Sequence, residues 1–399
     1  MGMIINIDQA LELRSDYNVL REPLNKMLSD MQEAWERENP IDFLFKRNTI
    51  DRFQQTYISS IGFDHAFKET SDYAIGPIFN TAEGFSATYT TRTFQGSFII
   101  TQQVLEDGNR GQVRDDASAF MKRWHGDLVE YAMTAINAGF GKERYYEGSR
   151  LLLKSADTSD GDIATESKNP LFYKEHTCVK RKGMDDGDVI KQSNIFAALN
   201  ADNSRAIVLD GEDPAKVSKL ADFINYVITE MENYRDDNGK RAGVLGPKVI
   251  VAPNDARLNA ALNAALSMDM FGQEPNVAYK RATLKTTPYL RDIDACKDGC
   301  GFFIVDPAYN AANHGPEFTE RIPLTLDVIE ERRPKGIIYD GRQRFDINVC
   351  SWRGIAYCYI GTPGSGDAWN AAGKFTKVTP VSTVKPVGVV GTVTTKAGS

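Results

Sequence analysis

The chain has 399 residues, of which 42% are hydrophobic and 25% charged. That length exceeds a typical single domain, and the composition is that of a globular protein with ample material for a core. A net charge of −7 excludes the overall basic character of proteins that grip nucleic acid through phosphates, leaving only local patches for such a role. Five cysteines (Cys178, Cys296, Cys300, Cys350 and Cys358) are odd in number and widely spaced, which argues against a disulfide framework and for a reducing compartment. The N-terminus has no basic region followed by an apolar run, and Asn6 stands where a myristoylation signal needs Ser or Thr. No stretch approaches the roughly 18 apolar residues of a membrane span. The expectation is a soluble chain made in a cytoplasm, with no membrane partner.

The first element is helical. Leu13, Tyr17, Leu20, Leu24, Met27, Met31 and Trp35 recur at helical spacing. Pro23 falls inside the stripe, so a short helix, a break near Arg21–Glu22 and a second helix from Pro23 to Arg37 are expected. The stripe reads as core packing, with a helix that docks on a neighbouring subunit as the alternative.

Residues 62 to 110 change texture. Phe94, Gly96, Phe98, Ile100, Gln102 and Val104 alternate with Thr93, Gln95, Ser97, Thr101 and Gln103, which predicts a long two-stranded ribbon. Such a ribbon is only marginally stable alone and must lie on something. A long helix follows directly. Val113, Ala117, Phe120, Met121, Trp124, Leu128, Tyr131, Ala132, Ala135 and Ile136 form its apolar face, and Gly139 suits its end. Pro214 opens another helix facing inward through Val217, Leu220, Ala221, Ile224, Val227, Ile228 and Met231. "KVIVAP" reads as a buried strand, and Asn254 as the cap of the helix after it. "KGIIYDGRQRFDINVCSWRGIAYCYIG" predicts two or three strands, with Asp340–Gly341 as a tight hairpin turn. After Asp367 there is no acidic residue, and the tail is rich in Val, Thr and Lys.

Chemistry is sparse. There is no nucleophile elbow, P-loop, H-E-x-x-H or dinucleotide fingerprint. His176 with Cys178, and Cys296 with Cys300, fit no standard zinc spacing. "RDDNGK" lacks an EF-hand register and reads as a turn. No catalytic, cofactor or metal site is expected.

The order of parts carries more. "FQGSFIITQQVLEDGNRG", "LVEYAMTAINAGFG", "NPLFYKEHT" (with Leu171, Phe172 and His176), "GPKVIVAPNDARLNAAL" and "RFDINVCSWRGIAYC" occur in an order that resembles the major capsid proteins of tailed bacteriophages, and among them most resembles the Mu-like head-subunit family. The resemblance covers about residues 60 to 360. It implies an α+β, Hong Kong 97-type capsid fold divided into an N-terminal arm (1–61), an E-loop ribbon (62–111), a peripheral domain with its spine helix (112–200), an axial domain (201–335), closing strands (336–362) and an extended tail (363–399). It implies a non-enzymatic protein that self-assembles into an icosahedral virion shell of pentamers and hexamers around double-stranded DNA, with only non-specific contact to that DNA. A separate scaffolding protein or none, a portal and accessory proteins are the implied partners. The ribbon, through Phe85, Tyr89, Phe94, Phe98 and Ile100, and the tail, through Val381, Val384, Val387 and Val390, would make inter-subunit contacts. Some members of the fold cross-link an E-loop lysine to a neighbour's asparagine. No lysine lies between Lys68 and Lys122, so no such link is expected here. An encapsulin-like nanocompartment shell and an intracellular hydrolase with an unrecognised site are the alternatives.

Overall fold

One helix serves two hydrophobic cores. The computed structural model describes residues 4–7, 15–37, 39, 41–62, 82–107, 110–137, 139, 171–172, 176–177, 191–198, 207, 214–236, 240–271, 273–290, 299–332 and 335–361. In chain order its elements are β1 (Ile4–Ile7), α1 (Ser15–Arg37), β2 (Lys46–Thr49), β3 (Gln54–Gly62), β4 (Ala82–Thr90), β5 (Arg92–Thr101), α2 (Gln102–Glu106), α3 (Arg110–Asn137), β6 (His176–Thr177), β7 (Lys191–Gln192) and β8 (Ile195–Ala197). There follow α4 (Pro214–Glu232), β9 (Lys248–Pro253), α5 (Ala256–Ser267), β10 (Met270–Phe271), β11 (Glu274–Pro275), β12 (Ala282–Thr287), β13 (Gly299–Val305), α6 (Pro307–Ala312), β14 (Glu317–Arg332), β15 (Lys335–Asn348) and β16 (Ile355–Gly361). The fold is α+β.

The first sheet runs β1-β14-β15-β5, with β2 also on β14. The second runs β12-β9-β13-β16-β8. The 28 residues of α3 make a rod of about 42 Å. Its first half buries Val113, Ala117 and Met121 against α1 and the first sheet. Its second half buries Leu128, Ala132, Ala135 and Ile136 in the core around the second sheet. The apolar face read from the sequence is therefore one continuous stripe that meets two different partners.

At Gly96 and Gly341, which pair across β5 and β15, the sheet has no side chain to hold α3 away. A Cβ on Gly96 would lie 3.2 Å from the Trp124 ring. The indole fills that window and donates from Nε1 to Gln343 Oε1 at 3.0 Å.

Three local expectations are corrected. α1 is one helix with Pro23 inside it, not two. An interior proline costs about 3 kcal/mol. Burial of Leu20, Leu24 and Leu28, at about 1.5–3 kcal/mol each, outweighs that. Asp340–Gly341 is no turn, because both lie within β15, and the hairpin closes between Arg332 and Lys335. Asp255, not Asn254, caps α5, its Oδ1 accepting from the N–H of Arg257 and Leu258 at 2.9 Å each.

α1 and α3 are also joined by a buried histidine. His125 stacks on Trp35 (centroids 4.6 Å apart), and its Nε2 lies 2.9 Å from Gln32 Oε1. Burial lowers its pKa from 6.5 to about 4, against a smaller opposing pull from Glu36. The folded state thus prefers neutral imidazole. Its stabilising effect is complete above pH 6.5 and is lost as pH falls from there through 4. The expected slope in that window is at most about 1.4 kcal/mol per pH unit. In His125→Gln, urea unfolding between pH 6.5 and 4 should lose this part of the acid dependence; an unchanged slope would contradict the assignment.

Candidate functional site

What distinguishes the surface is a pair of strands that belongs to neither main sheet. β3 and β4 pair antiparallel from Gln54↔Thr90 to Gly62↔Ala82, with register shifts beyond Ile58, and among the described residues join no other sheet. β3 has the sequence QQTYISSIG and β4 the sequence AEGFSATYT, so neither presents a continuous apolar face that would hold it to a core.

The root of this ribbon is fixed firmly. Tyr57 packs against Tyr89 (centroids 4.7 Å) and against His314 (4.6 Å). Asn48 on β2 donates from Nδ2 to Tyr57 Oη at 3.0 Å and to Glu317 Oε2 at 2.8 Å. His314 Nδ1 lies 3.0 Å from Glu317 Oε1. His314 has φ 52, a left-handed conformation that histidine tolerates better than most side chains. Its carbonyl accepts from the N–H of Cys350 (2.9 Å) and Ser351 (2.8 Å), which holds the turn. Tyr89 is 1% exposed, and burial, with the Glu317 carboxylate second, raises its phenol well above the usual range. The ribbon therefore leaves the body from a rigid aromatic and charged socket at the start of β14.

A second feature lies along the spine. A groove of about 380 Å³ runs between α3 and the β5 side of the first sheet, lined by Phe94, Gln95, Trp124, Leu128, Glu130 and Tyr131 among others. A third is the short β10–β11 hairpin, whose flanks expose Met268, Met270, Val277 and Tyr279. Asn276 holds it, donating from Nδ2 to the carbonyls of Ala265 (2.7 Å) and Met268 (2.6 Å).

The residues named from the sequence divide among these places. Tyr89 is at the ribbon root, buried within its own chain. Phe85 falls on β4, and its side chain lies outside the described residues. Phe94, Phe98 and Ile100 are not on the ribbon: they lie on β5, paired with β15 without a register shift. Phe94 stacks on Phe345 (4.4 Å), Phe98 on Tyr339 (4.9 Å), and Ile100 is in the core. The physical reason is that β15 supplies β5 with a partner strand, so its alternation is that of a sheet edge. Gln102 and Val104, read as continuing the strand, belong to α2. Val381, Val384, Val387 and Val390 lie outside the described residues. β14 pairs with β15 in the first sheet, while β16 pairs with β13 and β8 in the second. Sequence reasoning missed the Asn48–His314–Glu317 socket; its only local sign was "NHGPE" before a long strand.

His176 is fully buried, stacked on Trp352 (4.1 Å) and bonded to Asn194 Oδ1 (3.1 Å), while Cys178, named with it from the sequence, lies outside the described residues. No cluster of His, Cys, Asp and Glu suited to a metal occurs among the described residues.

No protein-family model matches the sequence, and no curated protein does. Solved structures of low identity do resemble the chain. The virus-like particle from Pyrococcus furiosus aligns over 86% of this chain and 100% of its own, at 9% identity and TM-score 0.40. The capsid of Cyanophage P-SCSP1u covers 80% and 87%, at 9% identity and TM-score 0.45. The mature capsid of bacteriophage PhiM1 covers 79% and 86%, at 11% identity and TM-score 0.45.

Proposed function

We propose that this chain is the major capsid subunit of a tailed bacteriophage, built on the Hong Kong 97-type plan and closest within it to the Mu-like head subunits. The observation that carries the reading is the β3–β4 ribbon, rooted rigidly at Tyr57, Tyr89 and His314 yet joined to no other sheet among the described residues. A two-stranded ribbon is marginal in water, so it needs a surface from another copy. The order of the remaining parts supports the same reading: a ribbon, a spine helix of about 42 Å, an α/β body and strands that return to the first sheet.

In this reading the first sheet with α1 and α3 is the peripheral domain. The second sheet with α4, α5 and α6 is the axial domain, which meets its copies around fivefold and sixfold axes. The subunit's work is geometric rather than catalytic. Obligate interfaces can each bury about 2,000 Å² or more, so a shell is stable although each contact is built from modest pieces. Pentamers and hexamers demand the same surfaces in slightly different settings, which a projecting ribbon absorbs. Double-stranded DNA is the enclosed cargo, touched without sequence preference. A separate scaffolding protein or none, a portal and accessory proteins are the partners in this reading, and the virion capsid, assembled in the host cytoplasm, is the location.

The test is to replace residues 59–85 by an Asn-Gly turn, which closes the remaining strand pair as a short hairpin. The subunit should keep its unfolding free energy to within about 1 kcal/mol, because Gln54–Ile58 and Ser86–Thr90 keep their pairing and the anchoring contacts of Tyr57 and Tyr89 are untouched. Sedimentation should show that closed particles no longer form. Particles of normal size from this variant would overturn the role given to the ribbon.

A further inference from the structure

The outer edge of β5 is unusual for an edge strand. No strand pairs with it among the described residues. Natural edges are blunted by lysine, proline, a bulge or shortness, because an open ladder recruits other chains. The other ends of the two main sheets follow that rule: β1 and β2 have four residues each, β8 has three, and β12 carries an exposed Lys285. β5 has 10 residues, RTFQGSFIIT, with no charge or proline after Arg92. Its register with β15 shows no shift. Thr93, Gln95, Ser97 and Ile99 are exposed along it.

The groove between this strand and α3 tells what would suit it. Its floor is apolar and aromatic, and Asp127 and Glu130 stand on its α3 side. Arg123 is engaged by Asp127 at 2.8 Å, while Glu130 has no ion pair among the described residues. The fitting occupant is an extended, apolar segment carrying positive charge and no acid. One segment of this chain has that chemistry. From Ala368 to Ser399 there is no acidic residue, and Lys374, Lys377, Lys385 and Lys396 punctuate a Val- and Thr-rich sequence. Within it "VGVVGTVTT" (387–395) is free of proline and close to β5 in length.

We propose that the C-terminal tail of a second copy of this chain adds as a strand to the outer edge of β5, with valines turned into the groove against α3 and lysines facing Glu130 and Asp127. Strand addition gives affinity through main-chain hydrogen bonds and specificity through alternate side chains. The inference rests on the shell reading, since it requires neighbouring copies.

The experiment places a photo-cross-linking amino acid at Gln95 in the full-length chain, which is exposed on β5 and lines the groove. Particles are assembled from an equal mixture of isotopically light and heavy chains, irradiated, and mapped by mass spectrometry. The expected products join position 95 to residues 378–396, with light–heavy pairs among them. A companion variant, Glu130→Lys, should reduce their yield severalfold without changing the unfolding midpoint, because that side chain is exposed. Cross-links to residues 63–81, to another protein, or only within one chain would overturn the proposal while leaving the shell reading intact. A chain that remains monomeric would overturn both.

Discussion

Asp306→Ala is expected to destabilise the subunit by about 3–5 kcal/mol, the cost of leaving one member of a buried ion pair alone. Asp306 and Lys248 are 2.8 Å apart, and their side chains are 0% and 2% exposed. Lys248 Nζ also donates to the carbonyls of Val244 and Gly246, at 2.9 Å each. Asp306 accepts from the N–H of Gly246 at 2.8 Å and from that of Tyr309 at 2.9 Å, so it ties β9 to the start of α6. A Cβ at residue 246 would overlap the Asp306 carboxylate, which is why glycine stands there. Truncating Asp306 strands an ammonium in the core and removes the cap of α6. The double variant Asp306→Asn with Lys248→Met removes both charges and should recover much of the loss, because neutral replacements of buried pairs are often tolerated. Urea unfolding measures both. A single-variant loss below about 1 kcal/mol would show that the pair is dispensable.

Trp352→Ala is expected to cost about 3–5 kcal/mol, the range for deleting a large buried aromatic ring. Trp352 is 1% exposed and lies at a junction of three segments. One face stacks on His176 at 4.1 Å, its edge meets Tyr234 at 5.1 Å, and the Arg353 guanidinium sits 5.0 Å from its centroid. His176 in turn bonds Asn194, whose Nδ2 donates to the carbonyls of Leu171 (2.8 Å) and Ile355 (3.3 Å). Tyr234 donates to the Ser193 carbonyl at 2.7 Å. The ring thus holds the end of α4, the strand around β8 and the entry to β16 in one arrangement. Trp352→Phe should lose less than half as much in the same unfolding assay. Equal losses for the two would mean that stacking is not the source of the effect.

These two sites also mark how far local sequence reaches. The helices α3 and α4 were legible because their apolar spacing is local, and β9 because an apolar run bounded by proline admits few other readings. The ribbon was legible in kind but misplaced. Alternation at Phe94, Phe98 and Ile100 is the same whether a strand projects freely or lines a sheet edge, and only β15, far along the chain, decides. Asp340–Gly341 has turn chemistry, yet Gly341 is needed for close approach to Gly96 and the Phe120 ring. The strands instead close on each other at Arg332, which pairs with Lys335. The His176–Trp352 stack and the Asn48–His314–Glu317 socket join residues distant in sequence, so no spacing announces them.

The central claim is that the chain builds a closed shell. Light scattering after size exclusion, followed by electron microscopy of the same fraction, tests it most directly. The account predicts closed icosahedral particles, or rings of five and six subunits, from the full-length chain expressed with its scaffolding partner if it has one. A monodisperse monomer under those conditions, with the β3–β4 ribbon folded back on its own body, would contradict it.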